Sequence, residues 1–283
     1  MENLGYYNGA FAPIDEMYIP FCDRVHFFGD GVYEATLAKN YKIYALDEHI
    51  ERLFNSASML DIRIPNSKAE LAEIIKGLVL KLDCDEQLVY FQVTRGTGVR
   101  SHTYPDDMVG NIWIMLRPMK MTDIYKEIDA ITLPDTRYLH CNIKTLNLIP
   151  SVIYAQKAKM SNAYEAILYR EGGRVTECSH SNVHIIDKNG IFRTAPKDNL
   201  ILPGIARSNL IRACHSLGIE VIEKAFTLEE MLDADEILTS SSTVPIMRCR
   251  SVDGRAVGGR CEEKVEKLRE WVLEDFKRAT QIN

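Results

Sequence analysis

The sequence has no apolar run that approaches the roughly 20 residues a membrane-spanning helix requires. Its amino terminus, MENLGYYNGAFAPIDE, has neither the basic start nor the apolar core of a secretory signal. A cytoplasmic protein without a membrane partner is therefore expected. An excess of basic charge is also missing: 34 Lys and Arg stand against 40 Asp and Glu, for a formal net charge of -6. The cations are dispersed, so no broad positive field exists to condense on a nucleic acid backbone, and no nucleic-acid partner is expected. Paired cysteine motifs are absent. Cys22, Cys84, Cys141, Cys178, Cys214, Cys249 and Cys261 are odd in number, widely spaced and free of any Cys-x-x-Cys pair, which suggests reduced thiols rather than a disulfide framework or a zinc knuckle. What the chain does have is 283 residues with 46% hydrophobic content, enough to bury a sizeable core in one large domain or two ordinary ones.

Periodicity organises the first part of the chain. Two β-rich runs, 32–37 and 42–45, flank Lys39-Asn40 and predict a tight hairpin. Asp47 reads as a helix N-cap, and Ile50, Leu53, Phe54, Ala57 and Leu60 then fall at helical spacing ahead of Pro65, predicting a helix over 48–61. A second helix is predicted at about 68–82, followed by strands over 88–94 and 111–116 joined by the polar, Gly-rich loop RGTGVRSHTYPDD. Pro118 marks a domain boundary. The second half predicts strands at 166–169, 183–186, 219–224 and 236–240, interleaved with helices at about 150–161, 205–217, 227–233 and 262–279. There is no internal repeat and no low-complexity tract. The expected fold is α+β with two domains: a small N-terminal α+β domain over 1–118, a linker region over 119–133, and a larger C-terminal α/β domain over 134–283. A cleft between two such domains commonly holds small ligands.

Several residues can carry chemistry. Lys144 lies among Leu139, Ile143, Leu146, Leu148 and Ile149, where desolvation would favour the neutral amine needed to attack an aldehyde; a strand-mouth lysine with its ammonium in water is the plainer reading, and by itself the better one. Glu177 follows a Gly172-Gly173 turn and is suited to accept a hydrogen bond from a protonated ring nitrogen, or is simply a solvated strand-end carboxylate. Pro203-Gly204 opens a helix whose first backbone N–H groups, on Ile205 and Ala206, fit a phosphate or else end a plain turn. The hydroxyl run Thr239 to Thr243 fits phosphate oxygens or its own backbone. Arg52 can add a charge-assisted bond to a phosphate, or pair with Glu48 one turn earlier. Arg100 and His102 in the Gly-rich loop, with the Tyr33 phenol, can clamp a carboxylate, although each has an ordinary surface or packing role available. Cys178, His180 and His184 match no closed zinc pattern, and no metal is expected.

Taken in order, the segments GDGVYE, LDEHIERL, YFQVTRGTGVRSHTYP, CNIKTLNLIPS, YEAILYREGGRVTECSHSNV, LILPGIAR and EILTSSST make the chain similar to the class IV (fold-type IV) aminotransferases, and within them to the members that act on D-amino acids. The resemblance covers nearly the whole chain. It implies a two-domain enzyme that holds pyridoxal 5'-phosphate in the interdomain cleft, with Lys144 as the Schiff-base lysine and proton shuttle and Glu177 as partner of the pyridine nitrogen. It further implies that Arg52, the backbone of Ile205 and Ala206, and Ser240 with Ser241 hold the phosphate, that Leu202 packs on the ring, and that Tyr33, Arg100 and His102 trap the substrate carboxylate. The implied reaction moves an amino group between a D-amino acid such as D-alanine and 2-oxoglutarate, in a homodimer whose partners are small amino acids and 2-oxo acids.

Three departures stand out. Ala206 replaces a threonine of the D-specific members, the stretch TECSHSNVH is less serine-rich than the family's TEGSSSNVF form, and Pro203 replaces a lysine. Within the same fold, a branched-chain L-amino acid aminotransferase and an aminodeoxychorismate lyase are rival readings, and the Arg100-x-His102 pattern speaks against both. A non-catalytic carrier of the cofactor and a metal-binding protein built on Cys178, His180 and His184 are the rivals from other classes.

Overall fold

The computed structural model describes residues 1–281. The chain divides into two compact units, one formed by Met1–Met121, Ile143–Asn147 and the stretch from Phe276 onward, the other by Thr122–Asn142 and Leu148–Asp275.

The first unit contains β1 (Leu4–Tyr7), β2 (Ala10–Ala12), α1 (Val25–Phe28), β3 (Gly31–Lys39), β4 (Lys42–Ile43), α2 (Leu46–Ser58), α3 (Lys68–Val79), β5 (Glu86–Thr94) and β6 (Asn111–Pro118). Its strands form one antiparallel sheet in the order β2-β1-β6-β5-β3-β4. Strand alternation decides its two faces. Val32 of β3, Phe91 of β5 and Ile112 and Ile114 of β6 join Ile50 and Leu53 of α2 and Leu71 and Ile75 of α3 in one core. Each such side chain contributes about 1.5–3 kcal/mol by leaving water. The helix α3 begins at a complete capping box, Ser67 with Glu70, and α2 begins differently from expectation. Ala45, in the left-handed region at φ 52°, is the N-cap of α2 and makes no side-chain cap, because the chain turns out of the β4 hairpin directly into the helix. Asp47 therefore lies in the first turn, where its charge complements the helix dipole rather than capping a backbone N–H.

The second unit contains β7 (Glu127–Pro134), α4 (Ile149–Met160), β8 (Glu165–Tyr169), β9 (Val175–Cys178), β10 (Asn182–Ile186), β11 (Phe192–Thr194), α5 (Ile205–Ser216), β12 (Val221–Glu223), α6 (Leu228–Asp233), β13 (Glu236–Ser240), β14 (Met247–Val252), β15 (Arg255–Ala256) and most of α7 (Glu262–Thr280). Its mixed sheet runs β12-β11-β10-β13-β14-β7-β8-β9, with β15 beside β14. Residues 119–133, read above as a linker, carry most of β7, which pairs in parallel with both β8 and β14. The buried Ile128 and Ala130 alternate as an inner strand requires, but Asp129 and Pro134 mask the pattern in the sequence.

Candidate active site

In the first unit the chain around Lys144 lies against the start of β3. Tyr33 N–H donates to the Lys144 carbonyl at 3.0 Å, Leu146 N–H donates to the Gly31 carbonyl at 3.0 Å, and Val32 and Thr145 form an antiparallel bridge. Gly31 permits this approach: a Cβ there would sit 2.7 Å from Leu146 and 2.8 Å from the Val93 carbonyl. The Lys144 N–H also donates to Ser56 Oγ of α2 at 3.2 Å. So placed, the Lys144 Nζ lies 4.0 Å from the centre of the Tyr33 ring. Tyr33 stacks on Tyr90 at 5.5 Å, Tyr90 meets Trp113 edge-on at 5.3 Å, and the Tyr90 hydroxyl donates to Gln92 Oε1 at 2.8 Å. Tyr90 and Trp113 went unrecognised in the sequence, although their outward alternation in β5 and β6 was the available signal.

On the other parity of β3, Glu34 is fully buried, and α2 supplies its partners. Arg52 donates from Nε to Oε1 and from Nη2 to Oε2, both at 2.7 Å, and His49 Nδ1 lies 2.6 Å from Oε2. Burial pushes the Glu34 carboxyl up, but Arg52 and then His49 overcome it and hold the group down to about 2. Burial likewise lowers the His49 pKa, with the Lys144 ammonium among the charges that add to the effect. Arg52 is thus a preoriented cation anchored next to the lysine segment.

The loop carrying Arg100 and His102 is exposed, yet it is anchored. The Arg100 guanidinium lies 5.4 Å from the centre of the Phe28 ring and the His102 ring 5.3 Å from it. Arg24, buried beneath, donates from Nη1 to the Ser101 carbonyl at 2.7 Å and from Nε to Asp30 at 2.8 Å. Phe28 immediately precedes Gly29, whose carbonyl accepts from Asn147 Nδ2 at 3.2 Å, so the Arg100 and His102 side chains are held at the end of the sheet where the Lys144 segment docks.

In the second unit Glu177 is buried and converged upon by donors. Leu202 N–H donates to its Oε2 at 3.0 Å, Asn182 Nδ2 to the same oxygen at 3.1 Å, and Arg137 Nη1 to Oε1. Burial raises the Glu177 pKa, and Arg137 only partly opposes it. Arg137 is in turn held by Asp135, at 2.9 Å from both Nε and Nη2. The sequence carried no signal for Arg137 beyond the Asp-x-Arg spacing.

Asn182 ties the remaining residues together. Its Nδ2 also donates to the Leu202 carbonyl at 2.9 Å, its backbone lies opposite Ser240 across the β10–β13 ladder, and its Oδ1 occupies the place a side chain would take at Gly204, 2.1 Å from an added Cβ. Gly204 is the N-cap of α5 and makes no side-chain cap, so the first N–H groups of the helix, those of Ile205 and Ala206, are not used by a cap. Ser241 accepts from Val244 N–H at 3.2 Å, which closes the turn after β13. Glu177, Leu202, Ile205, Ala206, Ser240 and Ser241 are therefore strung about Asn182. Cys178 ends β9 and His184 lies inside β10, so the strand is broken between them, and His180 turns to Glu165 at 2.8 Å. No group of three or more metal-ligating side chains converges among the described residues.

These features fit pyridoxal phosphate on three grounds. A lysine lies against an aromatic wall, a buried carboxylate is held in place for a ring N–H, and backbone donors and hydroxyls flank a glycine where an added Cβ would meet Asn182 Oδ1.

The chain is similar to known proteins over most of its length. A family model described as amino-transferase class IV matches residues 31–252. The D-alanine aminotransferase of Listeria monocytogenes is 41% identical over 263 residues, covering 91% of this chain and 90% of that protein. The D-alanine aminotransferase of Bacillus licheniformis is 38% identical over 254 residues, covering 89% of each. Among solved structures, the branched-chain amino acid aminotransferase of Escherichia coli superposes with a TM-score of 0.90 at 22% identity, covering 99% of this chain and 96% of that one, a likeness of fold.

Proposed function

Because the chain belongs to the class IV aminotransferases, we propose that it moves the amino group of a D-amino acid, D-alanine foremost, to 2-oxoglutarate, giving pyruvate and D-glutamate. The observation that carries the reading is the docking of Lys144 beside Tyr33 at the end of the sheet that also presents Arg100 and His102. The cofactor of the family, pyridoxal phosphate, supplies when bound an aldehyde and an electron-withdrawing ring that takes up the electron pair left by removal of an α-proton.

The roles of the residues follow from their chemistry. Lys144 would hold the cofactor through its amine, and the same amine when free would act as the base that takes the proton from the substrate α-carbon and shuttles it. Glu177 would accept from the ring N–H and keep that proton in place, with Arg137 and Asn182 orienting the carboxylate. Arg52, the N–H groups of Ile205 and Ala206, and the hydroxyls of Ser240 and Ser241 would hold the phosphate, and Leu202 would pack on the ring. Arg100 and His102, with the Tyr33 phenol, bind the substrate carboxylate, Arg100 in bidentate fashion. The relatives named D-alanine aminotransferase and the Arg100-x-His102 pair support the D over the L reading. The same reading includes a cytoplasmic homodimer; no helix among the described residues is long and apolar enough to cross a membrane.

The test is an assay of paired D- and L-amino acids with 2-oxoglutarate. D-alanine should be turned over and L-leucine and L-valine should not. A preference for the L-branched amino acids would overturn the assignment.

A further inference from the structure

His184 takes no part in the roles above, yet it is fully buried and both ring nitrogens are engaged. Nδ1 lies 2.9 Å from Thr194 Oγ1, its partner across the β10–β11 ladder, and Nε2 lies 2.8 Å from Ser240 Oγ. The ring stacks on Phe192 at 5.1 Å. Burial first, and the buried Arg207 cation second, lower its pKa to about 3, so the ring carries a single N–H at any working pH. That proton has two possible positions, and they differ in what they do to Ser240.

A serine hydroxyl has one proton to give. If Ser240 gave it to Nε2, its Oγ would face the neighbouring helix start with lone pairs alone, which an anion repels. If Nε2 carries the ring proton, it donates to Ser240 Oγ, and the Ser240 proton is released to an acceptor on the other side; Thr194 then donates to Nδ1. Ser240 lies opposite Asn182, whose Oδ1 abuts Gly204 at the start of α5, so that acceptor lies where the helix N–H groups converge.

We propose that His184 is a positioning residue for the phosphate cup: the relay Thr194 to His184 to Ser240 makes the Ser240 hydroxyl an obligatory donor to the cofactor phosphate. The inference rests on the proposed placement of the phosphate at Ser240 and α5. It also accounts for two peculiarities of this chain together. Ala206 removes one hydroxyl from the cup, and a histidine stands where the TEGSSSNVF form ends in phenylalanine, so a donor is lost on the helix side and one is secured on the strand side.

Apoenzyme titrated with pyridoxal phosphate and, separately, with pyridoxal, which has the ring and aldehyde but no phosphate, tests the relay. We expect His184→Phe to raise the dissociation constant for pyridoxal phosphate about tenfold and to leave that for pyridoxal unchanged. Ser240→Ala should do the same, and the double variant should be no worse than either single one, because both remove the same bond. Should His184→Phe not fold, as read by thermal denaturation of the apoenzyme, Gln and Asn replace it. His184→Gln places an amide N–H near the position of Nε2 and should keep the affinity, whereas His184→Asn reaches only the position of Nδ1 and should lose it. Equal weakening toward both ligands, or additive losses in the double variant, overturns the relay. If Ser240→Ala leaves pyridoxal phosphate affinity unchanged, the phosphate placement fails as well; if Ser240→Ala weakens it and His184→Phe does not, only the relay fails.

Discussion

The ammonium of Lys144 lies 4.0 Å from the centre of the Tyr33 ring, and the same two residues share a backbone hydrogen bond of 3.0 Å. The backbone bond fixes where the lysine starts, and the ring offers its amine a resting place that costs no specific hydrogen bond. A lysine held in this way can leave one partner and return to it without moving its own main chain.

Replacing Lys144 with Ala should abolish the borohydride-fixable adduct with pyridoxal phosphate and bring transamination to background. Mass spectrometry of the reduced protein is the check. A reducible adduct of undiminished yield would assign the cofactor to another lysine.

Arg100→Ala should raise the KM for D-alanine by about 10- to 100-fold, the loss of charge-assisted hydrogen bonds, with little change in cofactor affinity. Phe28→Ala should act in the same direction, since both the Arg100 and the His102 side chains rest on that ring. Steady-state kinetics beside a cofactor titration separates the two effects. Unchanged D-alanine kinetics in both variants would remove the carboxylate trap.

Removing Arg137 leaves the buried Glu177 without its cation and leaves Asp135 with Arg170 alone. Arg137→Ala should destabilise the protein by about 3–5 kcal/mol, and adding Glu177→Gln should recover part of that loss. Urea denaturation of the apoenzymes measures both. A stability loss under about 1 kcal/mol would show that the carboxylate finds other support.

Acid should destabilise the first unit through Glu34. Its folded pKa of about 2 lies below the ordinary carboxylate value of 4.5, so its contribution is present above about pH 4.5 and is lost as pH falls toward 2. His49, with a folded pKa lowered from 6.5, works in the same direction, because the unfolded chain takes up a proton that the folded one resists. Glu34→Gln should flatten the stability profile between about pH 4.5 and 2, by an amount on the order of 3 kcal/mol. Denaturant midpoints measured across that range decide it.

Local periodicity made much of the first unit legible. The spacing from Ile50 to Leu60 announces the first helix, the same periodicity announces the second near 68–82, and alternation in the two segments 88–94 and 111–116 announces the central strands. These signals are short-range, set by 3.6- and 2-residue repeats within one element. β7 escaped because its polar and proline residues hide a strand whose burial is supplied by two parallel neighbours far away in the chain.

The residue types for the chemistry were present in the sequence: a lysine in apolar company, a carboxylate after a glycine turn, a Pro-Gly helix start and an Arg-x-His loop. Their order was enough to recognise the family. Only tertiary structure decided that the Lys144 backbone would dock on β3, that Arg24 would hold the Arg100 loop from below, that Arg137 would partner Glu177, and that Asn182 would join the helix start to Ser240. Each of those contacts joins residues from separate elements, and each answers the same demand: a buried charge or donor must find a partner, and strand register and helix packing determine which one it meets.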